Sequence, residues 1–263
     1  MKKKAIMIRV GIDSASAKRA GIDSPTEKWN APCNPENREF VYVPDPAHPP
    51  KDPSLDGYYQ NIITPALKQF GRDNNCHISL RNWVCNESAH LDPDFRSGYL
   101  SYGNTYNNKG KPLKEFCEED GDRFVIFYNS MKRIDKPKPL EYGIIGILKV
   151  QAVKQVKDIS DEAEIKRNIH TRRDPPVCTD VVVFGDPEAS GRLEKYLPIG
   201  KRRCNNNYYV KDSLVDAWGG VCKKDGKKHT GWLNMSTPIW LCNAPRFFEW
   251  WEQQNPRLIH KNN

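Results

Sequence analysis

Two stretches of the 263-residue sequence gather side chains able to move protons, hold a metal ion or grip a phosphate. The first is His90-Leu91-Asp92-Pro93-Asp94-Phe95-Arg96, which packs an imidazole, two carboxylates and a guanidinium into one short loop. Pro93 fixes the backbone between the acids. Such a loop could bind a metal, position a phosphate or orient a general base. The plainer reading is an Asx-turn, with Asp92 capping its own backbone and Arg96 paired with Asp94. The second stretch is His170-Thr171-Arg172-Arg173-Asp174-Pro175-Pro176, where adjacent arginines beside a titratable imidazole suit a bidentate phosphate grip. Its alternative is a solvated basic turn. A third polar segment, Gly11-Ile12-Asp13-Ser14-Ala15-Ser16, follows an apolar opening run and places Asp13 at a strand tip, where ligand-binding groups often sit.

The elements that must position these loops centre on Gly121 to Val150. Two apolar runs, Phe124 to Tyr128 and Gly143 to Leu148, are separated by a basic, proline-bearing connection that can continue neither strand. They read as paired strands. Neither alternates strictly, so both faces are covered, either in a small closed barrel or in a sheet packed by helices. The first run ends in polar Tyr128-Asn129-Ser130-Met131, as a strand emerging at a barrel rim would. This ordering resembles the core of PUA-like barrels, whose members bind nucleic acids and often a single extruded base. The resemblance implies an α+β fold built on a β-barrel or strongly curved sheet flanked by helices, with a nucleotide near Tyr128 and Asn129.

Around that centre the sequence predicts a first strand at 5–10 and a long excursion over 17–56 containing one strand, Phe40 to Val43. A helix is expected near 57–70, where Tyr58, Ile62, Ile63, Leu67 and Phe70 share a face and Pro65 forces a kink or a late start. The charged segment 159–169 reads as a short solvated helix. A buried strand follows at 181–185, then a helix over 187–197 with Pro187 in its first turn and Leu193 and Leu197 on one face. Phe247, Phe248, Trp250 and Trp251 are expected to close a final helix, 244–253, onto the core.

With 41 Lys and Arg against 33 Asp and Glu, the chain carries a formal charge of +8, which favours a polyanionic partner. Lys201, Arg202 and Arg203 and the later Lys223, Lys224, Lys227 and Lys228 bracket Tyr208 and Tyr209, so cations alternate with stacking surface as in tracks for single-stranded nucleic acid. Lysine-rich loops around a hairpin are also commonly just solvated. The eight cysteines include no CxxC pair, and Cys76, His77, Cys85 and His90 match no strong zinc spacing. A reduced, cytoplasmic chain without a secretory signal or a membrane span is expected.

The opening strand with GIDSAS, then VYVPDP, AHLDPDF, GDRFVIFYNS and YGIIGILKV, occur in an order that resembles the nucleotide-modification-associated domain 3 family. That family is found in bacteria and phages and is inferred to take part in modifying bases in DNA. The resemblance covers roughly residues 5 to 200, and AHLDPDF is its most specific part. It implies that Asp13, His90, Asp92 and Asp94 are functional positions and that DNA, with other modification-system proteins, is the partner. Residues 1–200 are then one domain and 201–263 a basic, aromatic extension packed on it. No GxSxG, Walker loop, dinucleotide fingerprint or zinc-deaminase signature is present, and no motif specifies a cofactor. Three readings follow: a base-modifying enzyme, a reader of modified bases, or a structural subunit whose terminal aromatics would be exposed.

Overall fold

A computed structural model describes residues 2–11, 30–47, 51–78, 88–136, 138–203, 207–234 and 237–263. The opening apolar run forms β1 (Lys3–Arg9), followed by short β2 (Ala31–Cys33) and β3 (Asp45–Pro46). A π-helical turn over Tyr59–Ile63 runs into α1 (Thr64–Asp73), so Pro65 sits in the first turn of α1, where its missing N–H costs nothing. Next come β4 (Ala89–His90), β5 (Ser101–Asn104) and α2 (Lys111–Cys117). The central pair is β6 (Asp122–Arg133) and β7 (Glu141–Gln155). Two one-turn helices, α3 (Glu162–Ile165) and α4 (Ile169–Arg172), precede β8 (Val181–Gly185) and β9 (Gly191–Pro198). The chain continues through β10 (Gly200–Arg202), β11 (Tyr208–Val210), α5 (Asp212–Ala217) and β12 (Val221–Cys222). It then forms β13 (Ile239–Leu241), α6 (Ala244–Gln253) and β14 (Leu258–Ile259).

The α+β class holds, with one large mixed sheet in the order β12-β13-β1-β6-β7-β8-β5; β2 adds to β6, β9 to β7 and β14 to β9. β1 runs parallel to β6 and β7 antiparallel to it. Among the described residues the sheet does not close into a barrel: no pairing joins β12 to β5. β7 shows why. Its first half pairs with β9 (Ile144↔Leu197) and its second half with β8 (Val153↔Val183), so one edge is handed between two strands and the sheet splits there. Register shifts in the β6–β7, β7–β8 and β7–β9 pairings mark where the ladder bends.

Both faces of the sheet are buried. On β1 and β6, Ile6, Ile8, Val125 and Phe127 enter one core with α1 and α2, while Met7, Phe124, Ile126 and Tyr128 enter another with α6. The continuous apolar runs are therefore explained by a covered sheet rather than by a barrel interior. α6 spans the expected residues, with Phe247, Phe248 and Trp251 buried, so these rings form core and not a docking face.

Two local expectations are corrected. Residues 187–197 do not form a helix. Pro187 lies in a turn whose Glu188 N–H donates to Asp186 Oδ1 at 2.8 Å, and Leu193 and Leu197 belong to β9. Their four-residue spacing imitates a helical face, but β9 has β7 on one side and β14 on the other, and two ladders outweigh local periodicity. Phe40 to Val43 is buried yet forms no strand beyond a Cys33↔Phe40 bridge. Its backbone is satisfied by a side chain instead: Tyr42 N–H donates to Asn263 Oδ1 at 2.8 Å, and Asn263 Nδ2 donates to Tyr42 O at 2.9 Å. The 159–169 segment is helical only over α3, and α4 begins at its end.

Phe127, fully buried between Phe95 (ring centroids 5.7 Å) and Tyr102 (5.1 Å), links the central strand to the loops above it. Phe127→Ala is expected to cost about 3–5 kcal/mol of unfolding free energy, read as a lower midpoint in urea denaturation.

Candidate functional site

The aromatic series Tyr42, Phe95, Phe127 and Tyr102 underlies a polar cluster assembled from residues 90–92, 170–173 and 180. β4 supplies His90, held by the antiparallel register Asp45↔His90. The loop after β4 supplies Asp92, and α4 supplies His170 and, at its end, Arg173. The turn before β8 supplies Asp180.

The geometry is tight. Asp92 is held by the Gly103 N–H at 2.7 and 3.0 Å and by Asn168 Nδ2 at 3.3 Å. Its Oδ2 lies 3.3 Å from His170 Nε2 and 3.8 Å from His90 Nε2. The two imidazoles meet edge to face at 5.1 Å. His170 Nδ1 is 2.7 Å from Asp180 Oδ2. A carboxylate can only accept, so the Nδ1–H donates to Asp180, and Nε2, on the other side of the ring, faces Asp92. Gly103 is required here: a Cβ would run into the His170 ring, which packs directly on that backbone. Asn168 caps α4, accepting from the His170 N–H at 2.9 Å, and so fixes where the histidine leaves the chain.

Burial sets the electrostatics. It pushes the Asp92 carboxyl up, against the lowering effect of the His170 and Gly103 contacts. It pulls the Arg173 guanidinium down, although Asp180 Oδ2 lies 3.4 Å away. Burial also raises the Tyr102 and Tyr42 phenols, with Asp92 and Asp45 adding to the effect. Asp92 therefore shares a dry, carboxylate-rich environment with rings that stay neutral.

Asp94 is engaged elsewhere. Fully buried, it takes a two-pronged ion pair from Arg96 (Nη2–Oδ2 2.6 Å, Nε–Oδ1 3.0 Å) and a bond from Asn262 Nδ2 at 3.2 Å. The loop thus divides: Asp94 and Arg96 form the structural turn, whereas Asp92 caps the distant Gly103 rather than its own backbone. Arg172 pairs with Asp52 (2.6 Å) rather than with the histidines. Tyr128 is buried in the core on the opposite face of the sheet, its hydroxyl donating to Leu233 O at 3.3 Å. Asn129 is buried beside Gly11, and among the described residues its amide has no hydrogen-bond partner. Asp13 and Cys85 lie outside the described residues.

The basic hairpin has its own partners. Lys201 and Arg203 both contact Asp212, and Arg203 lies 4.3 Å over the Tyr209 ring. Arg202 ends β10 opposite Tyr208, which is buried, stacks on Tyr142 at 4.7 Å and accepts from the Leu140 N–H at 2.8 Å. Sequence reasoning missed Asp180, Asn168 and Gly103. Each is a common residue type at a strand or helix end, and only their convergence on His170 distinguishes them.

The fold and cluster define an α+β protein with a large mixed sheet and a buried His–Asp–His constellation on one face. Residues 4–232 match the family model described as nucleotide modification associated domain 3, and the chain belongs to that family. The matched span extends beyond residue 200 to include the basic hairpin and α5. No curated protein and no solved structure matches the chain. Among the described residues, no helix is long and apolar enough to cross a membrane.

Asp92 and Asp94 should respond oppositely to substitution. Folding raises the Asp92 pKa, so its contribution to stability is present below the unfolded value and lost as pH rises through the folded one. At neutral pH the buried carboxylate is a burden, and Asp92→Asn is expected to leave the melting temperature unchanged or raised. Asp94→Asn removes a charge-assisted pair and is expected to cost about 1.5–3 kcal/mol. Thermal unfolding of both variants at neutral pH checks the contrast.

Proposed function

We propose that the protein is an enzyme of a nucleotide-modification system that acts on a base in DNA, with His90, Asp92 and His170 at the reacting centre. The observation that carries this reading is the convergence of His90 and Asp92 with His170 and Asp180, two pairs some eighty residues apart in the chain, around one buried point. Burying two carboxylates beside one guanidinium is expensive and gives stability little in return. Perturbed ionisable groups brought together at such cost are a mark of chemistry. Membership of the nucleotide modification associated domain 3 family supports a nucleotide base as the substrate.

His170, with Nδ1 tied to Asp180, is held by a carboxylate partner, and its Nε2 is fixed facing Asp92 within the cluster. His90 is about a quarter exposed and is the member of the cluster an incoming base would meet first. An extruded base would thus be read at His90 rather than at Tyr128, whose ring is enclosed in the opposite core. The DNA backbone would be held by the cationic hairpin that carries Lys201, Arg202 and Arg203.

Incubating the purified protein with modified and unmodified DNA, with and without divalent metal, and measuring nucleosides by mass spectrometry tests this directly. An altered nucleoside is expected, with Asp92→Asn and His170→Gln slower by about 10²–10⁴-fold. Selective binding without any altered nucleoside would make the protein a reader instead. Replacing Lys201, Arg202 and Arg203 with Ala is expected to weaken DNA binding and to reduce the salt slope by about 2, because Asp212 already offsets one of the three cations. An unchanged slope would mark the hairpin as a solvated face.

A further inference from the structure

We propose that His90, Asp92 and His170 bind a divalent first-row transition-metal ion, with Asp180 as the outer partner that orients His170. The proposal goes beyond the reaction suggested above and does not depend on which nucleic acid is the substrate.

Three donor atoms, one from each residue, lie within 4.8 Å of one another, and this is the set of its kind among the described residues. Metal bonds of about 2.0–2.2 Å put neighbouring donors roughly 3.0–3.5 Å apart. The Asp92–His170 edge, 3.3 Å, already fits, and the Asp92–His90 edge, 3.8 Å, needs a closure of a few tenths of an ångström. Asp92 and His170 are held by Gly103, Asn168 and Asp180, and His90 is the partly exposed member of the set.

The orientation of the His170 ring also fits. A metal-binding histidine commonly donates its other ring N–H to a carboxylate, which fixes the ring and raises the basicity of the ligating nitrogen. His170 does this through Nδ1 to Asp180, leaving Nε2 for the ion. Arg173 does not occupy that lone pair. Its Nη2 is 2.6 Å from Nδ1 and 3.0 Å from Nε2, and no atom so close to both nitrogens can lie along their diverging in-plane directions. The guanidinium therefore sits over the ring and can stay with Asp180 when Nε2 is bound to metal.

Charge points the same way. Among the described residues, the buried carboxylates of Asp92 and Asp180 act on one buried guanidinium, Arg173. A divalent cation supplies the compensation. Two imidazoles and one carboxylate favour a transition ion such as Zn²⁺, Fe²⁺ or Co²⁺ over Mg²⁺ or Ca²⁺, and three protein ligands leave room for water or a substrate atom.

Co²⁺ titration of the chelator-stripped protein in the absence of DNA, followed by visible absorption and elemental analysis, is the test. One equivalent per chain is expected, with ligand-field bands. His90→Ala should weaken uptake by more than the roughly 100-fold upper range of an outer partner, and Asp180→Asn by about 10–100-fold with a shifted spectrum. His77→Ala, an exposed histidine outside the cluster, should bind as the unsubstituted chain does. Circular dichroism confirms that each variant is folded; should Asp180→Asn not fold, His90→Ala carries the result. No saturable uptake by the unsubstituted protein, or uptake that His90→Ala leaves unchanged, overturns the proposal. Because DNA is absent, that failure is separable from a failure to alter a nucleoside.

Discussion

The structure depends on one pairing, β6 with β7, whose strands are buried on both faces and carry every other layer. Along one edge of β6 lie β1 and then β2, both parallel to it, and along the far edge of β7 lie β9 and then β8. Each long strand thus serves two successive neighbours, so a single pairing organises segments far apart in the chain. Just before β2, Asn30 Nδ2 donates to Ser130 O at 3.0 Å, between the stretches of β6 that pair with β1 and with β2. Close packing on both faces makes the pair intolerant of cavities.

That rigidity is what allows the polar cluster to exist. Phe127 on β6 holds Phe95 and Tyr102, and these hold the backbone on either side of Asp92 and Gly103. Unpaired, a buried carboxylate would be ruinous; here the bonds from Gly103, Asn168 and His170 make its burial tolerable without making it favourable. Packing on the sheet supports the site, whereas the site adds little support to the sheet.

Much of the frame was legible in the sequence. The apolar runs of β1, β6, β7 and β8 and the aromatic face of α6 declare themselves because each requires burial wherever the chain places it. Where periodicity was short, it misled. Leu193 and Leu197 fit a helix until a free edge of β7 claims them, and Phe40 to Val43 look like a strand until Asn263 satisfies the Tyr42 backbone. These outcomes turn on partners distant in sequence, which no local pattern contains.

The candidate site divides along the same line. The sequence by itself determined that His90, Asp92 and His170 sit in stretches of concentrated charge, and family motifs singled out AHLDPDF. Only the tertiary structure decided that Asp94 serves Arg96 while Asp92 joins His170, and that Asp180 stands behind the imidazole. The physical reason is that charge and residue type are written locally, but which carboxylate meets which imidazole depends on hydrogen bonds to Gly103, Asn168 and Asp180, which only the sheet brings within reach.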